Sequence, residues 1–111
     1  MKGRFSLRRR RIYTIGEIAE IIAPIARRYG AREVWLFGSY ARGEADADSD
    51  VDIAVMPGEG WGIRIGTFWR EISDALDKDV DLTTFDDEAF IDFVKKDMVR
   101  IYVSESKRMM P

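Results

Sequence analysis

A glycine–serine turn stands a few residues ahead of two alternating carboxylates: Gly38-Ser39-Tyr40-Ala41-Arg42-Gly43, then Asp50-Val51-Asp52. Glycine lets a ligand approach the backbone with no Cβ in the way. The N–H groups of a helix start carry partial positive charge and suit phosphate, and Ser39 adds a hydroxyl donor. Read alone, Gly38-Ser39 is better taken as a plain tight turn. Asp50 and Asp52 lie two apart on an expected strand, so both carboxylates emerge on one side, while Val51, Ile53 and Val55 face the other. Neighbouring carboxylates repel, and aspartate is a poor strand former. A divalent cation would relieve that repulsion by taking oxygens from both. The competing interpretation is a solvated acidic loop ending at Asp52, and Asp46 and Asp48 fit it. A helix–loop–helix calcium site is disfavoured, because its sixth position needs glycine and Val51 or Ile53 stands there. A third acid, Asp81, lies in Lys78-Asp79-Val80-Asp81-Leu82-Thr83. If that strand runs beside the first, Asp81 completes a triad. Asp79 shares its parity but sits at the strand's start, where solvation is easier.

Composition narrows the chemistry. The chain has 111 residues, 46% of them apolar, with no cysteine and no histidine. That length suits one compact domain. Disulfides, thiolate metal sites, the usual general base and the usual zinc ligand are all excluded. Any metal must bind oxygen, which favours Mg²⁺ or Mn²⁺. No apolar stretch approaches the roughly 18 residues of a membrane span, and residues 12–15 are too short and polar for a signal peptide. A cytoplasmic protein is the default expectation. The net charge of −2 conceals an asymmetry: residues 1–13 carry +6 and no acid, leaving −8 for the rest. Residues 44–59 carry Glu44, Asp46, Asp48, Asp50, Asp52 and Glu59 and no base.

The elements that must position these groups follow from periodicity. Thr14 and Glu17 form a capping box, and Ile15, Ile18, Ile22, Ile25 and Tyr29 recur at helical steps. The spacing predicts a helix over 14–29 closed by Gly30, with a kink or break at Pro24. Glu33–Phe37 reads as a buried strand, Val51–Met56 as a second and Val80–Phe85 as a third. Ile65, Phe68, Trp69, Ile72 and Leu76 mark an amphipathic helix over 64–77. A further helix is expected from Asp86, burying Phe90, Ile91 and Val94. Met98–Val103 is ambiguous between helix and strand. The expected fold class is α/β (α+β), a small mixed sheet packed with helices. The expected layout is a basic arm over 1–13, one domain over 14–103 and a tail over 104–111.

Together these pieces resemble the DNA polymerase beta-like nucleotidyltransferase superfamily, and most of all its small stand-alone minimal nucleotidyltransferases. Their pattern is a strand ending in Phe-Gly-Ser, then Ala-Arg-Gly, then an acidic loop and Ser-Asp-x-Asp. This chain reads Phe37-Gly38-Ser39, Ala41-Arg42-Gly43 and Ser49-Asp50-Val51-Asp52, with Val80-Asp81-Leu82 matching the family's later acid. The resemblance covers residues 14–103. It implies that Gly38 and Ser39 hold the nucleotide phosphates and that Asp50 and Asp52 bind Mg²⁺. Asp81 would join the metal shell and help deprotonate the attacking hydroxyl. Two metal ions are implied, with Mn²⁺ as an alternative. Arg42 would contact a phosphate or brace the acidic loop, and bracing is slightly favoured. The resemblance further implies an antitoxin that transfers AMP from ATP, or from another nucleoside triphosphate, to a tyrosine hydroxyl of a helical HEPN-domain toxin.

Some features stay open. The basic arm could bind RNA, grip an acidic partner or be a plain tail; without aromatic interleaving, nucleic-acid binding is the weaker alternative. Trp35 is expected in the core. Trp61, in a glycine-rich loop, could stack on a base, meet a partner or anchor its own loop. The competing function is a non-catalytic antitoxin acting by binding alone. A small-molecule nucleotidyltransferase ranks last, because those usually carry an extra domain. Base identity, acceptor and oligomeric state are not encoded legibly.

Overall fold

The computed structural model describes residues 11–86 and 97–105. Helix α1 spans Ile15–Tyr29, strand β1 Glu33–Phe37, helix α2 Gly38–Arg42 and strand β2 Val51–Met56. Helix α3 (Arg64–Leu76), strand β3 (Val80–Thr84) and strand β4 (Val99–Val103) follow. The expected helix beyond Asp86, with Phe90, Ile91 and Val94, lies outside the described residues.

The capping box forms as the sequence requires. The Glu17 N–H donates to the Thr14 hydroxyl at 3.0 Å, and the Thr14 N–H donates to the Glu17 carboxylate at 2.9 Å. That contact, with Arg11 beside it, holds the Glu17 carboxyl below its ordinary pKa. At the other end Gly30 takes a left-handed conformation, φ 74°, that closes the helix. The expected break at Pro24 does not occur: α1 runs unbroken through it. Proline removes one backbone donor, but Ile22, Ile25 and Ala26 are buried around it and their packing holds the helix together.

The strands form one sheet in the order β3-β2-β1-β4. β1 pairs antiparallel with β2 and β4, whereas β2 pairs parallel with β3. A parallel pair needs a crossover, and α3 supplies it. Met98–Val103 thus resolves as strand β4. The main core lies on one face, where α1 and α3 pack Ile18, Ile22, Phe68, Ile72 and Leu76 against Val34, Leu36, Val51, Ile53 and Val55. The opposite face carries a smaller cluster of Ala54, Met56, Phe85 and Met98, with Trp35 and Phe37 partly buried against it. Trp35 is therefore a half-buried flank of this second cluster, not a residue of the main core. Its Nε1 donates to Glu33 at 2.8 Å, and the Arg100 guanidinium lies 5.9 Å from its ring centroid. Arg100 also lies 4.0 Å from the Glu33 carboxylate, so that buried group keeps polar partners.

Candidate active site

The alternation expected for β2 is present. Val51, Ile53 and Val55 are fully buried in the main core, and Asp52 lies on the other face with Ala54 and Met56. Asp50 precedes the strand by one residue. Register sets the remaining geometry: Asp52 and Asp81 are direct partners on the parallel strands β2 and β3. Partners in a ladder share a face, so the two carboxylates stand side by side. The sequence left open whether the third acid's strand would lie next to the first, and it does. Among the described residues no three acidic groups stand close enough, as placed, to hold a metal ion together.

On the other side of Asp52 lies the glycine turn. Phe37, the last residue of β1, is the register partner of Asp52, and Gly38 follows it into α2. Gly38 has φ +73°, and a Cβ built on it would stand 2.1 Å from Asp52 Oδ2. Only glycine lets the carboxylate lie against this backbone. The helix that Ser39 opens is short and is closed by Gly43, with the Glu44 N–H donating to the Ser39 carbonyl at 2.8 Å. Tyr40 anchors it in the main core. Burial pushes the Tyr40 phenol up from its ordinary value.

Arg42 pairs with the acidic loop. Its Nε donates to Glu44 at 2.9 Å, and a terminal nitrogen lies 3.8 Å from Asp97. The hydrogen bond to Glu44 raises its pKa further. The acidic loop is more built than its composition suggests. Asp46 is exposed, as expected of a loop acid, and its carboxylate also accepts the Asp48 N–H at 2.9 Å and the Ser49 hydroxyl at 3.2 Å. The Asp46 N–H donates to Ser49 Oγ at 2.9 Å. This folded turn leads directly into Asp50.

One contributor, Lys78, escaped the sequence reading, and one open alternative, at Trp61, is decided. Lys78 is only 4% exposed, and its Nζ donates to the Ala47 carbonyl at 2.8 Å, tying the acidic loop to the start of β3. Its signal was parity: Lys78 alternates with Val80 and Leu82, on the face that turns toward the core. Trp61 proves to be a loop anchor. It is 4% exposed, its Nε1 donates to the Tyr29 carbonyl at 2.8 Å, and its ring packs against Phe68 and Tyr29. It is not available to stack on a base.

The donor set suits a hard divalent cation. Its candidate ligands are carboxylate oxygens, and the Asp52–Asp81 adjacency concentrates negative charge that a cation would neutralise.

This arrangement and the mixed sheet behind it are those of a nucleotidyl-transfer domain. The model of the family "Polymerase beta, Nucleotidyltransferase" matches residues 20–107, and the chain belongs to that family. It is accordingly a nucleotidyltransferase, of the minimal kind. A Methanocaldococcus jannaschii protein, named as a candidate protein adenylyltransferase, is 39% identical over 72 residues, covering 64% of this chain and 77% of that protein. The protein adenylyltransferase MntA of Thermococcus cleftensis is 50% identical over 46 residues, which is 38% of this chain and 46% of that protein. Among solved structures, a toxin–antitoxin crystallised with AMP-PNP superposes with a TM-score of 0.63 at 25% identity, covering 79% of this chain and 75% of that one.

Proposed function

We infer that this chain is a Mg²⁺-dependent protein adenylyltransferase, an antitoxin that transfers AMP from ATP to a tyrosine hydroxyl of a partner HEPN-domain toxin. The observation that carries this reading is the in-register Asp52–Asp81 pair, with the Gly38 backbone packed on the Asp52 carboxylate. Support also comes from two relatives named for protein adenylylation and a similar fold solved as a toxin–antitoxin with an ATP analogue.

In this reading the Gly38–Ser39 turn receives the triphosphate from the β1 side. Asp50 and Asp52 would hold the metal, and Asp81 would add a ligand from β3. Bound metal supplies Lewis acidity at the phosphate and stabilises the developing charge. The acceptor oxygen bonds to the α-phosphorus as the bond from that phosphorus to the bridging oxygen of the β-phosphate breaks, and pyrophosphate leaves. The hydroxyl proton passes to the Asp81 carboxylate and then to water. No histidine is needed. Arg42 contributes by holding Glu44, which braces the acidic loop.

The test is incubation with α-labelled ATP, Mg²⁺ and the protein encoded by the adjacent gene. Label should pass to that protein with wild type and not with the Asp50→Ala, Asp52→Ala double variant. Full neutralisation of the partner with no label transferred would overturn catalysis and leave binding alone as the mode of action.

A further inference from the structure

β3 carries Asp81 and is an edge strand of the sheet. Its inner side is held by the ladder with β2: the Val51 N–H donates to the Asp79 carbonyl at 3.0 Å, and the Phe85 N–H donates to the Val55 carbonyl at 3.1 Å. In a parallel ladder a residue turns both backbone groups the same way. Asp79, Asp81, Thr83 and Phe85 therefore turn inward, and Val80, Leu82 and Thr84 turn outward. The outward carbonyl of Val80 belongs to the peptide bond that leads into Asp81. Trp69 Nε1 donates to that oxygen at 2.8 Å.

The indole does this from an unusual position. α3 packs on the core face of the sheet and Asp81 lies on the other, so Trp69 reaches round the strand's outer edge. It remains 42% exposed, so apolar burial alone does not account for its placement. The helix that carries it is well fixed, with Phe68 and Ile72 fully buried and the Ser73 hydroxyl donating to the Trp69 carbonyl at 2.8 Å.

We propose that Trp69 is a positioning residue: its indole N–H fixes the Val80–Asp81 peptide from outside the sheet and so sets where the Asp81 carboxylate stands beside Asp52. This rests on the reading of Asp81 as a metal ligand. Outer-shell groups that orient ligands change metal affinity or activity by about 10- to 100-fold when removed. Trp69→Phe keeps the ring and deletes only the donor.

The readout is Mn²⁺ affinity, followed by electron paramagnetic resonance on the full chain with a non-hydrolysable ATP analogue, with circular dichroism to confirm folding. Trp69→Phe should weaken Mn²⁺ by about tenfold. Asp81→Asn should weaken it at least as much, and the double variant no further than Asp81→Asn alone, because the two act through one group. In AMP transfer, kcat should fall about tenfold with KM for ATP unchanged. Wild-type Mn²⁺ affinity in Trp69→Phe, or full additivity in the double variant, overturns the proposal. If Mn²⁺ binding responds as expected but no acceptor is labelled, the adenylyl-transfer reading fails and this one stands. If wild type binds no Mn²⁺, both fall.

Discussion

The two faces of β2 are made from one six-residue strand and do opposite things. Val51, Ile53 and Val55 disappear into the main core beneath α1 and α3. Asp52 opens the other face at a point where β1, α2 and β3 all meet it. The first face gains stability from every atom it buries. The second spends its first position on a charge that stability alone would not choose. Packing fixes the coordinates, and the opposite side of the same backbone uses them.

The sharpest break between the faces is expected from Asp52→Asn. Loss of several kcal/mol of charge stabilisation, taken as about 4, lowers AMP transfer by about a thousandfold. The thermal midpoint should not fall, since a like charge beside Asp81 is removed. Ile53→Ala, one residue on, should reverse the pattern. It costs about 3 kcal/mol of stability by denaturant unfolding, while transfer by the molecules still folded stays close to wild type.

Gly38→Ala tests where the faces meet. The added methyl meets the Asp52 carboxylate, and the backbone must keep a left-handed φ that alanine resists by about 1–2 kcal/mol. A carboxylate displaced by about 1 Å lowers kcat by about a hundredfold. Lys78→Met should cost about 1–2 kcal/mol by freeing the Ala47 carbonyl and the loop it holds. It should also weaken nucleotide-dependent metal binding, measured by calorimetry.

The smallest effect is expected far from the site, at Glu71. Its hydrogen bond from Arg28, then that from Tyr29, holds its carboxyl below the ordinary 4.5. A depressed carboxyl adds stability above its unfolded pKa and loses it as pH falls through the folded value. Glu71→Gln should therefore be less stable than wild type at neutral pH. The gap should close below pH 4.5 as Glu71 protonates. A gap that persists unchanged into acid would show that the pair does not titrate as a unit.

Much of this was legible in the chain. The capping box at Thr14 and Glu17, the apolar steps of α1 and α3 and the alternation in β2 are local patterns, and local physics sets them. The adjacency of Asp52 and Asp81 could be posed but not decided, because strand order is a long-range property. The sequence places Trp61 in a glycine-rich loop and Trp69 on the apolar stripe of α3, but the partners of neither indole were legible. One is buried against Tyr29 and Phe68 and the other lies over an edge carbonyl, a distinction made only by tertiary packing. Pro24 misled because propensity reports on an isolated helix, whereas this one is held by its neighbours. Asp46 is the solvated loop residue expected, and its turn with Ser49, three residues away, is the part that charge counting overlooks.

The parallel pairing of β2 and β3 has a kinetic corollary. The two acids belong to strands that are joined in sequence only through the α3 crossover, so their pairing is a long-range contact that closes a long loop. A copy in which β3 has not yet paired with β2 lacks the Asp52–Asp81 alignment on which the proposed transfer depends. Onset of transfer during refolding would report completion of the crossover more directly than any spectroscopic probe of helix content.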